Sequence, residues 1–473
     1  LDYPLTTEIT LAPPAAFELT RRERLPFFLD SGMDPDKLGR YSFIGYDPFL
    51  VITSRGEQIT VTRPEGQTTF RGNPFATLGA LLDEYQMDSD TTPLPFNGGA
   101  VGYLSYDLGN FIEVLPTNAS DGLRLPECQF GLYDVIIGFD NQTGQGWIIS
   151  TGFPEKSPPP RARRARERLA AAQRKLARPL PPPSPAPEDK PAARGLRSGF
   201  TREDYLAAVE QARQYIIRGD IFEVNLSQRF EADLYITPDE LFRRLRHINP
   251  APFAAYLGFD DVQVVSASPE RFLLVHGDRV ETRPIKGTRP RGTTPEADQR
   301  LAAELLASPK DQAENMMIVD LERNDLGRVC RYGSVRVTEL ATLETFPSVF
   351  HLTSNVVGQL REDAGLIELL KATFPGGSIT GAPKIRAMEI IDELEPTQRS
   401  VYTGSIGYLG FNGNADLNIA IRTMLVRDGR VYFQTGGAVV YDSDPTTEYR
   451  ETLDKAYAMF RALGLAGIEE GVR

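Results

Sequence analysis

The spacing of apolar positions changes along this chain. Up to about residue 150 they alternate with polar ones in short runs broken by turn residues: YSFIGYDPFLVITS (41–54), EQITVTRP (57–64), NGGAVGYLSYDLG (97–109) and YDVIIGFDNQTG (133–144). A period of two predicts antiparallel strands. TREDYLAAVEQARQYIIRGD (201–220) instead carries Leu206, Val209, Tyr215 and Ile216 on one helical face, with Thr201 as N-cap and Gly219 after the end. Strand patterns then return. VQVVSASPERFLLVHGDRVETRPIKG (262–287) holds two runs joined at Gly277-Asp278, and NIAIRTMLVRDGRVYFQTGG (418–437) reads as a hairpin turning at Asp428-Gly429. Helical patterns cover 295–307, 311–325, 363–373, 382–394 and 446–463. There is no regular βαβ alternation and no internal repeat. The pattern predicts an α+β fold of large antiparallel sheets covered by helices.

One compositional break interrupts it. Residues 153–198 cluster prolines around a short basic stretch, which predicts a linker carrying a solvated helix. It divides the chain into a β-rich 1–152, the linker 153–198, and 199–473, which holds the chemistry described next. With 473 residues, 41% apolar and 25% charged, the chain can bury a large core. A formal charge of −12 argues against a nucleic-acid or anionic-membrane surface. No apolar run approaches the ~20 residues of a membrane helix. The opening LDYPLTTEIT has no basic-then-apolar leader pattern and no initiator Met, so the gene is expected to start elsewhere. Cys128, Cys330, His247, His276 and His351 are too scattered for zinc or iron–sulfur spacing. A reducing, cytoplasmic setting is expected, and any metal should sit on carboxylates as Mg²⁺ or Ca²⁺.

Four local patterns carry candidate chemistry. Asp311 with Glu314, and Glu448 with Glu451, are acids three apart on predicted helices; two such helices facing each other could hold one hard cation, though each pair alone also suits plain surface. The loop 376–381 in FPGGSITGAPKIRAMEIIDEL runs into a helix start whose N–H groups, with Lys384 and Arg386, suit an anion, or simply cap the helix. Lys286 in TRPIKGTRPRG is a candidate amine nucleophile if buried, and otherwise a solvated strand lysine. Arg422 in NIAIRTM lies among apolar residues and needs an anion, from a ligand or from an internal acid.

Taken together, SASPERF, PIKGTRPRG, DQAENMMIVDLERNDLGRV, FPGGSITGAPKIRAMEIIDELEP, GSIGYLGFNG and ETLDKA resemble, in order and spacing, the chorismate-utilising enzymes: anthranilate synthase component I, aminodeoxychorismate synthase component I, and the isochorismate and salicylate synthases. The match is dense over 200–460 and weaker before it. The resemblance implies an anthranilate synthase component I-like fold, two large antiparallel sheets packed as a sandwich with helices outside. It makes Glu314 and Glu451 the Mg²⁺ ligands, with Asp311 and Glu448 holding waters beside them. Mg²⁺ would bind the ring carboxylate of chorismate. Arg422, Tyr402 and the backbone at Gly436 and Gly437 would hold the enolpyruvyl carboxylate. Ser378, Thr380 and Gly381 would form the substrate loop. His351 would lie near the leaving hydroxyl, and Glu270 would be the acid that protonates it.

Two positions point to one branch. Isochorismate and salicylate synthases carry a Lys base where this sequence has Glu223, which disfavours water as nucleophile. Anthranilate synthases usually have PIAGT where this chain has PIKGT. The resemblance to aminodeoxychorismate synthases implies that Lys286 attacks ring position 2 while the 4-hydroxyl leaves, and that ammonia then replaces the lysine's bond by attacking position 4. For this, burial is expected to keep Lys286 neutral. Anthranilate synthesis is the alternative. No glutaminase cysteine motif is present, so ammonia is expected from a separate glutamine amidotransferase subunit. Finally, FLDSG (28–32) and NPAPFAAYL (249–257) resemble the two halves of the family's tryptophan pocket. That likeness implies a tryptophan site at Leu29, Asp30, Ser31, Asn249, Pro250 and Phe253, with Asp30 where the family usually has Glu, and a minor alternative of a tryptophan-binding module without catalysis.

Overall fold

The structure is a computed structural model and describes residues 4–87, 92–181, 191–346 and 349–465. Among these, the strands form two twelve-stranded antiparallel sheets. The first runs Leu5–Ile9, Gln145–Ser150, Val135–Asp140, Tyr41–Gly45, Phe27–Asp30, Phe253–Gly258, Gln263–Ser268, Thr423–Arg427, Arg430–Val439, Glu223–Leu234 and Ala193–Ser198, with the short Gly381–Ala382 also on Glu223–Leu234. The second runs Ile285–Pro290, Val349–Gln359, Arg279–Arg283, Arg271–His276, Ala415–Ile419, Ser405–Gly410, Gly99–Leu104, Cys128–Tyr133, Leu50–Arg55, Gln58–Arg63 and Gly66–Arg71, with Arg336–Thr345 on Val349–Gln359. Phe43, Ile136, Val264 and Leu425 of the first sheet pack against Val101, Tyr103, Ile406 and Tyr408 of the second, so the sheets share a core. Their outer faces bury helices: Pro13–Thr20, Pro238–Ile248 and Pro445–Ala462 on one, Pro74–Glu84 and Leu366–Thr373 on the other. This is the expected α+β sandwich.

Several strand pairs leave one sheet and enter the other. Gln263–Ser268 continues into Arg271–His276, and its neighbour Ala415–Ile419 continues into Thr423–Arg427. The sequence reading of 418–437 as one hairpin is corrected here. The hairpin is Thr423–Arg427 with Arg430–Val439, while Ala415–Ile419 belongs to the opposite sheet. Its turn matches expectation: Asp428 and Gly429 both have positive φ, 51° and 73°. Both sheets take strands from 1–152 and from 199–473, so these two stretches are interleaved in space.

The linker helix Pro158–Leu176 forms, but it is not solvated all round. It buries Ala162, Ala165, Ala172 and Leu176. Arg164 and Arg168 reach the fully buried carboxylate of Asp134 at 3.0 and 2.9 Å, at the point where Cys128–Tyr133 crosses into Val135–Asp140. Three helices beyond the sequence reading appear, at Pro13–Thr20, Pro74–Glu84 and Pro238–Ile248. Among the described residues no helix is long and apolar enough to cross a membrane.

Helix Pro309–Gly327 has a polar inner face. Asp311, Asn315, Glu322 and Asp325 are buried beside Ile318 and Val319. Glu322 accepts a hydrogen bond from Thr282 Oγ1 at 2.8 Å, and burial, with Glu270 and Asp325 adding, pushes its pKa up to about 8.

Two predictions follow from packing. Asp134→Ala removes the anion of Arg164 and one of the two anions of Arg168, which keeps Asp47 at 2.9 Å, and should lower unfolding free energy by about 3 kcal/mol; urea titration measures it, and an unchanged midpoint would mean the helix is held by its remaining contacts. Glu322 keeps in the fold a proton that the unfolded chain releases above pH 4.5 or so. Its contribution to stability is present at low pH and is lost as pH rises from there to about 8, at about 1.4 kcal/mol per pH unit. Glu322→Gln should match the parent at low pH and exceed it in mildly alkaline buffer; a pH-independent difference in denaturation midpoint would contradict this.

Candidate functional site

The side-by-side crossings place the central groups. Ser268 Oγ donates to Ile419 O at 2.6 Å, and Ile419 N donates to Glu270 O at 3.0 Å. These bonds hold Glu270 at one crossing and Arg422 at the other. Arg422 has φ 49°, a left-handed conformation that costs a non-glycine residue energy and is met at functional bends. Glu270 is buried. Its Oε1 accepts from Ser378 Oγ at 2.6 Å and from the Ile285 N–H at 3.3 Å. Burial outweighs those bonds and raises its pKa, which favours a protonated acid. Ile285 precedes Lys286, so the strand that steadies the acid also carries the amine.

Lys286 Nζ lies 2.5 Å from Glu223 Oε1, and Glu223 is fully buried. This pair joins the edge strand Ile285–Pro290 of one sheet to Glu223–Leu234 of the other. Burial alone would depress the amine, but Glu223 and then Glu314 outweigh it, and the Lys286 pKa stands above the ordinary lysine value. The expectation that burial wins over the nearby carboxylates is therefore corrected: the shift of Lys286 runs upward. Sequence reasoning noticed Glu223 without making it a site residue.

Loop 376–381 lies against the same strand. Gly381 pairs with Val224 and Ala382 with Glu223; Asn225 N donates to Thr380 O at 2.8 Å. Gly381 has φ 143°, and a β-carbon there would stand 2.2 Å from Glu223 O, so glycine is required. The Thr380 hydroxyl turns inward to Gly376 O at 3.0 Å. Lys384 does not face the loop as an anion-binding cation. It pairs with Asp325 and donates to Thr373 O, which corrects its place in the candidate list.

His351 Nδ1 meets Thr288 Oγ1 at 2.8 Å, while its Nε2 is buried without a partner. Burial, with Arg422 second, lowers its pKa to about 3, so the ring is neutral. His351 and Arg422 line a cleft together with Asn249, Pro250, Ala251 and Pro252. Among the described residues the Arg422 guanidinium has no ion-pair or hydrogen-bond partner, so of the two readings left open by the sequence the ligand anion is favoured. Tyr402 is buried 5.8 Å from the Arg399 guanidinium and lines a second cleft with Thr423 and Gln434.

The two acid pairs meet in part. Lys310 Nζ lies 3.8 Å from Glu314 and 4.0 Å from Glu448, so helices Pro309–Gly327 and Pro445–Ala462 do bring their acids together. Glu314 Oε1 and Glu448 Oε2 are buried without hydrogen-bond partners. Burial raises both pKa values, Glu314 to about 7. A β-carbon on Gly437 would stand 3.1 Å from Glu451 Oε1 and 3.2 Å from Glu448 Oε2, so the bare backbone makes room for these carboxylates. Glu451 pairs with Lys455 at 2.7 Å; burial would raise its pKa, but Lys455 outweighs it and the net shift is downward. Lys455 also donates to Gly436 O at 3.0 Å. Asp311 instead pairs with Arg289 at 2.9 Å. Among the described residues no three acids or imidazoles converge as a finished ion cage. Buried carboxylate oxygens without hydrogen-bond partners nonetheless fit a hard cation held by carboxylates, ligand oxygens and water.

The candidate tryptophan segments adjoin through the pairing of Asp30 with Ala254, next to Phe253. Asp30 is already held by Arg246 Nε at 2.5 Å, and Ser31 Oγ donates to Tyr41 O and Pro252 O at 2.6 and 3.0 Å. The polar groups there are satisfied within the chain, except that Asn249 Nδ2 is buried without a partner. Leu29 packs at the edge of the core between the sheets.

The chorismate binding enzyme family model matches residues 34–461. Aminodeoxychorismate synthase component 1 of Bacillus subtilis (strain 168) is 40% identical over 438 residues, 92% of each chain. Anthranilate synthase component 1 of Cereibacter sphaeroides is 40% identical over 472 residues, 98% of this chain and 94% of its own. The crystal structure of anthranilate synthase component I from Streptococcus pneumoniae TIGR4 superposes with a TM-score of 0.80 at 35% identity, covering 89% of this chain and 92% of that one. The two activities stand at equal identity.

Proposed function

The chain belongs to the chorismate-binding enzyme family, and within it we propose that it acts as an aminodeoxychorismate synthase component 1, aminating chorismate at ring position 4 for 4-aminobenzoate and folate synthesis. The observation that carries this reading is the buried Lys286 amine, 2.5 Å from Glu223 and on the strand that also steadies Glu270. A primary amine built into the site beside a proton acceptor is equipment for a covalent step, and free ammonia alone would not need it.

In this reading chorismate lies with its enolpyruvyl carboxylate on Arg422 and its ring over Lys286. Mg²⁺ would be held by Glu314 with Glu448 and Glu451, and when bound would neutralise the ring carboxylate. Glu223 takes a proton from Lys286. The amine Nζ then bonds to ring position 2, the double bond shifts, and the 4-hydroxyl leaves as water with the proton of Glu270. Ammonia attacks position 4, the double bonds shift back, and Nζ departs, recovering its proton from Glu223. Glu270 takes the surplus proton of the new amine and is ready again. Neutral His351 offers its free Nε2 to the leaving hydroxyl. Ammonia would come from a glutamine amidotransferase partner, as the component 1 names of the relatives suggest.

The test is to supply chorismate, Mg²⁺ and ammonium salt and to resolve products with and without an aminodeoxychorismate lyase. The expected product is a 4-amino compound that the lyase converts to 4-aminobenzoate; its formation should be abolished in Lys286→Ala and slowed about 10²–10⁴-fold in Glu270→Gln. Fluorescent anthranilate would overturn the reading in favour of anthranilate synthesis, which the equal identity to those enzymes keeps as the second reading.

A further inference from the structure

Strand Ile285–Pro290 does not pair evenly with Val349–Gln359. Ile285 stands opposite Thr353 and Thr288 opposite His351, so Lys286 and Gly287 together face the single position of Leu352. This is a β-bulge, one extra residue that bends a strand and re-aims its groups. Gly287 takes it up with φ 86°, and a β-carbon there would stand 3.1 Å from Asp311. Lys286, on one side of the bulge, goes to Glu223. Gly287 and Thr288, on the other, go to His351.

The Gly287 carbonyl accepts a hydrogen bond from the imidazole, and Thr288 Oγ1 stands 2.8 Å from Nδ1. Among the described residues Nε2 has no hydrogen-bond partner, so both contacts fall on Nδ1. A carbonyl can only accept, so Nδ1 carries the proton. The ring is buried and neutral and has one proton to place, which leaves a lone pair on Nε2. Thr288 is itself exposed, so its hydroxyl can accept from Nδ1 and give its own hydrogen to water. The Phe346 ring crosses the imidazole at 5.2 Å between centroids and fixes its plane.

We propose that Thr288, with the Gly287 carbonyl, is a positioning residue that holds His351 in the Nδ1–H tautomer, so that Nε2 accepts a hydrogen bond from the leaving 4-hydroxyl. That bond takes up the hydroxyl's own hydrogen and leaves the oxygen's lone pairs to the proton of Glu270. Water departs with that one added proton, and none crosses to the imidazole, which ends the step as it began. The other tautomer would turn an N–H at the same oxygen and leave the hydroxyl hydrogen unpaired in a buried site. One bulge thereby sets both the amine for ring position 2 and the group at position 4. The role in catalysis rests on the reading above, in which the 4-hydroxyl leaves beside His351; the tautomer does not.

The chain has three histidines, so nitrogen-15 NMR of the full, histidine-labelled protein without substrate can read His351 alone, with His351→Gln identifying its signals. At neutral pH the parent is expected to show an unprotonated Nε2 and a protonated Nδ1. Thr288→Val, which keeps the shape and removes the hydroxyl, should move the ring toward the Nε2–H form, and Thr288→Ser should restore the parent spectrum. In ammonium buffer with Mg²⁺, chorismate consumption by Thr288→Val should lose at least about tenfold in kcat with KM within about twofold, and Thr288→Ser should recover most of it. A protonated Nε2 in the parent would overturn the proposal, and this measurement decides it if Thr288→Val fails to fold. A valine variant with unchanged tautomer, or a serine variant no better than valine, would overturn it as well. The expected tautomer shift with an unchanged kcat would instead sink the placing of His351 at the leaving hydroxyl, and with it the catalytic role of Thr288.

Discussion

Two segments, 266–271 and 418–423, pass side by side from one sheet into the other, and the rest of the site is built on how they are tied at the crossing. Ser266 pairs with Thr423 in the first sheet and Arg271 with Asn418 in the second. Between those pairs the ladder has to turn, and its backbone groups must be satisfied by other means. The Ser268 hydroxyl on Ile419 O and the Ile419 N–H on Glu270 O do this. A chain bending through such a point cannot keep alternating its side chains between a core and an outer face. Glu270 and Arg422 thus sit at the seam, one an acid whose pKa burial raises and the other a guanidinium whose pKa burial lowers against the opposing charge of Glu270.

The seam needs a rigid back wall. Arg399 supplies it, with 2% of its surface exposed. Its guanidinium pairs with Glu395 at 2.7 Å and donates to Ile379 O at 2.9 Å and Asn225 O at 2.8 Å. Glu395 in turn accepts from the Ser227 N–H and hydroxyl, both at 2.8 Å. One buried pair therefore joins the glycine loop, the strand that carries Glu223 and the end of helix Lys384–Leu394. A buried ion pair adds little net stability, but with every lone pair and proton matched it permits only one arrangement.

The sequence made some of this legible and hid the rest for identifiable reasons. Asp428-Gly429 and Gly277-Asp278 announced their hairpins because few residue pairs fit such turns. The crossing at 420–422 was hidden because NIAIRTMLV is mostly apolar with no turn residue such as Gly or Pro, and no change of period marks the bend. Helix Pro238–Ile248 had a readable start, since Thr237 caps it before Pro238, Asp239 and Glu240, yet its short span was lost among strand patterns. The linker helix looked solvated because its docking face is alanine and its anchor, Asp134, is distant in sequence. Of the site, the residues were legible and their pairings were not. Lys384 chooses Asp325, Asp311 chooses Arg289, and Lys286 chooses Glu223; each choice is tertiary and leaves no local trace.

That last pairing sets how the lysine can work. Burial penalises an ammonium, a neighbouring carboxylate stabilises it, and the carboxylates win in the structure as it stands. The balance is not the same for the pair as for the lysine alone. Moving the proton across 2.5 Å to Glu223 removes two charges at once and leaves the net charge of the site unchanged. As water is displaced from around the pair, the Coulomb gain grows, but the cost of keeping both ions desolvated grows faster than imperfect geometry repays. The Glu223 Oε2 atom already lacks a hydrogen-bond partner, so part of that cost is present before any ligand arrives. A ring settling over Lys286 would cover the little of it that is still exposed and push the pair toward its neutral form. On the function proposed above, the substrate itself would release the nucleophile, and an empty site would keep the amine protonated and unreactive.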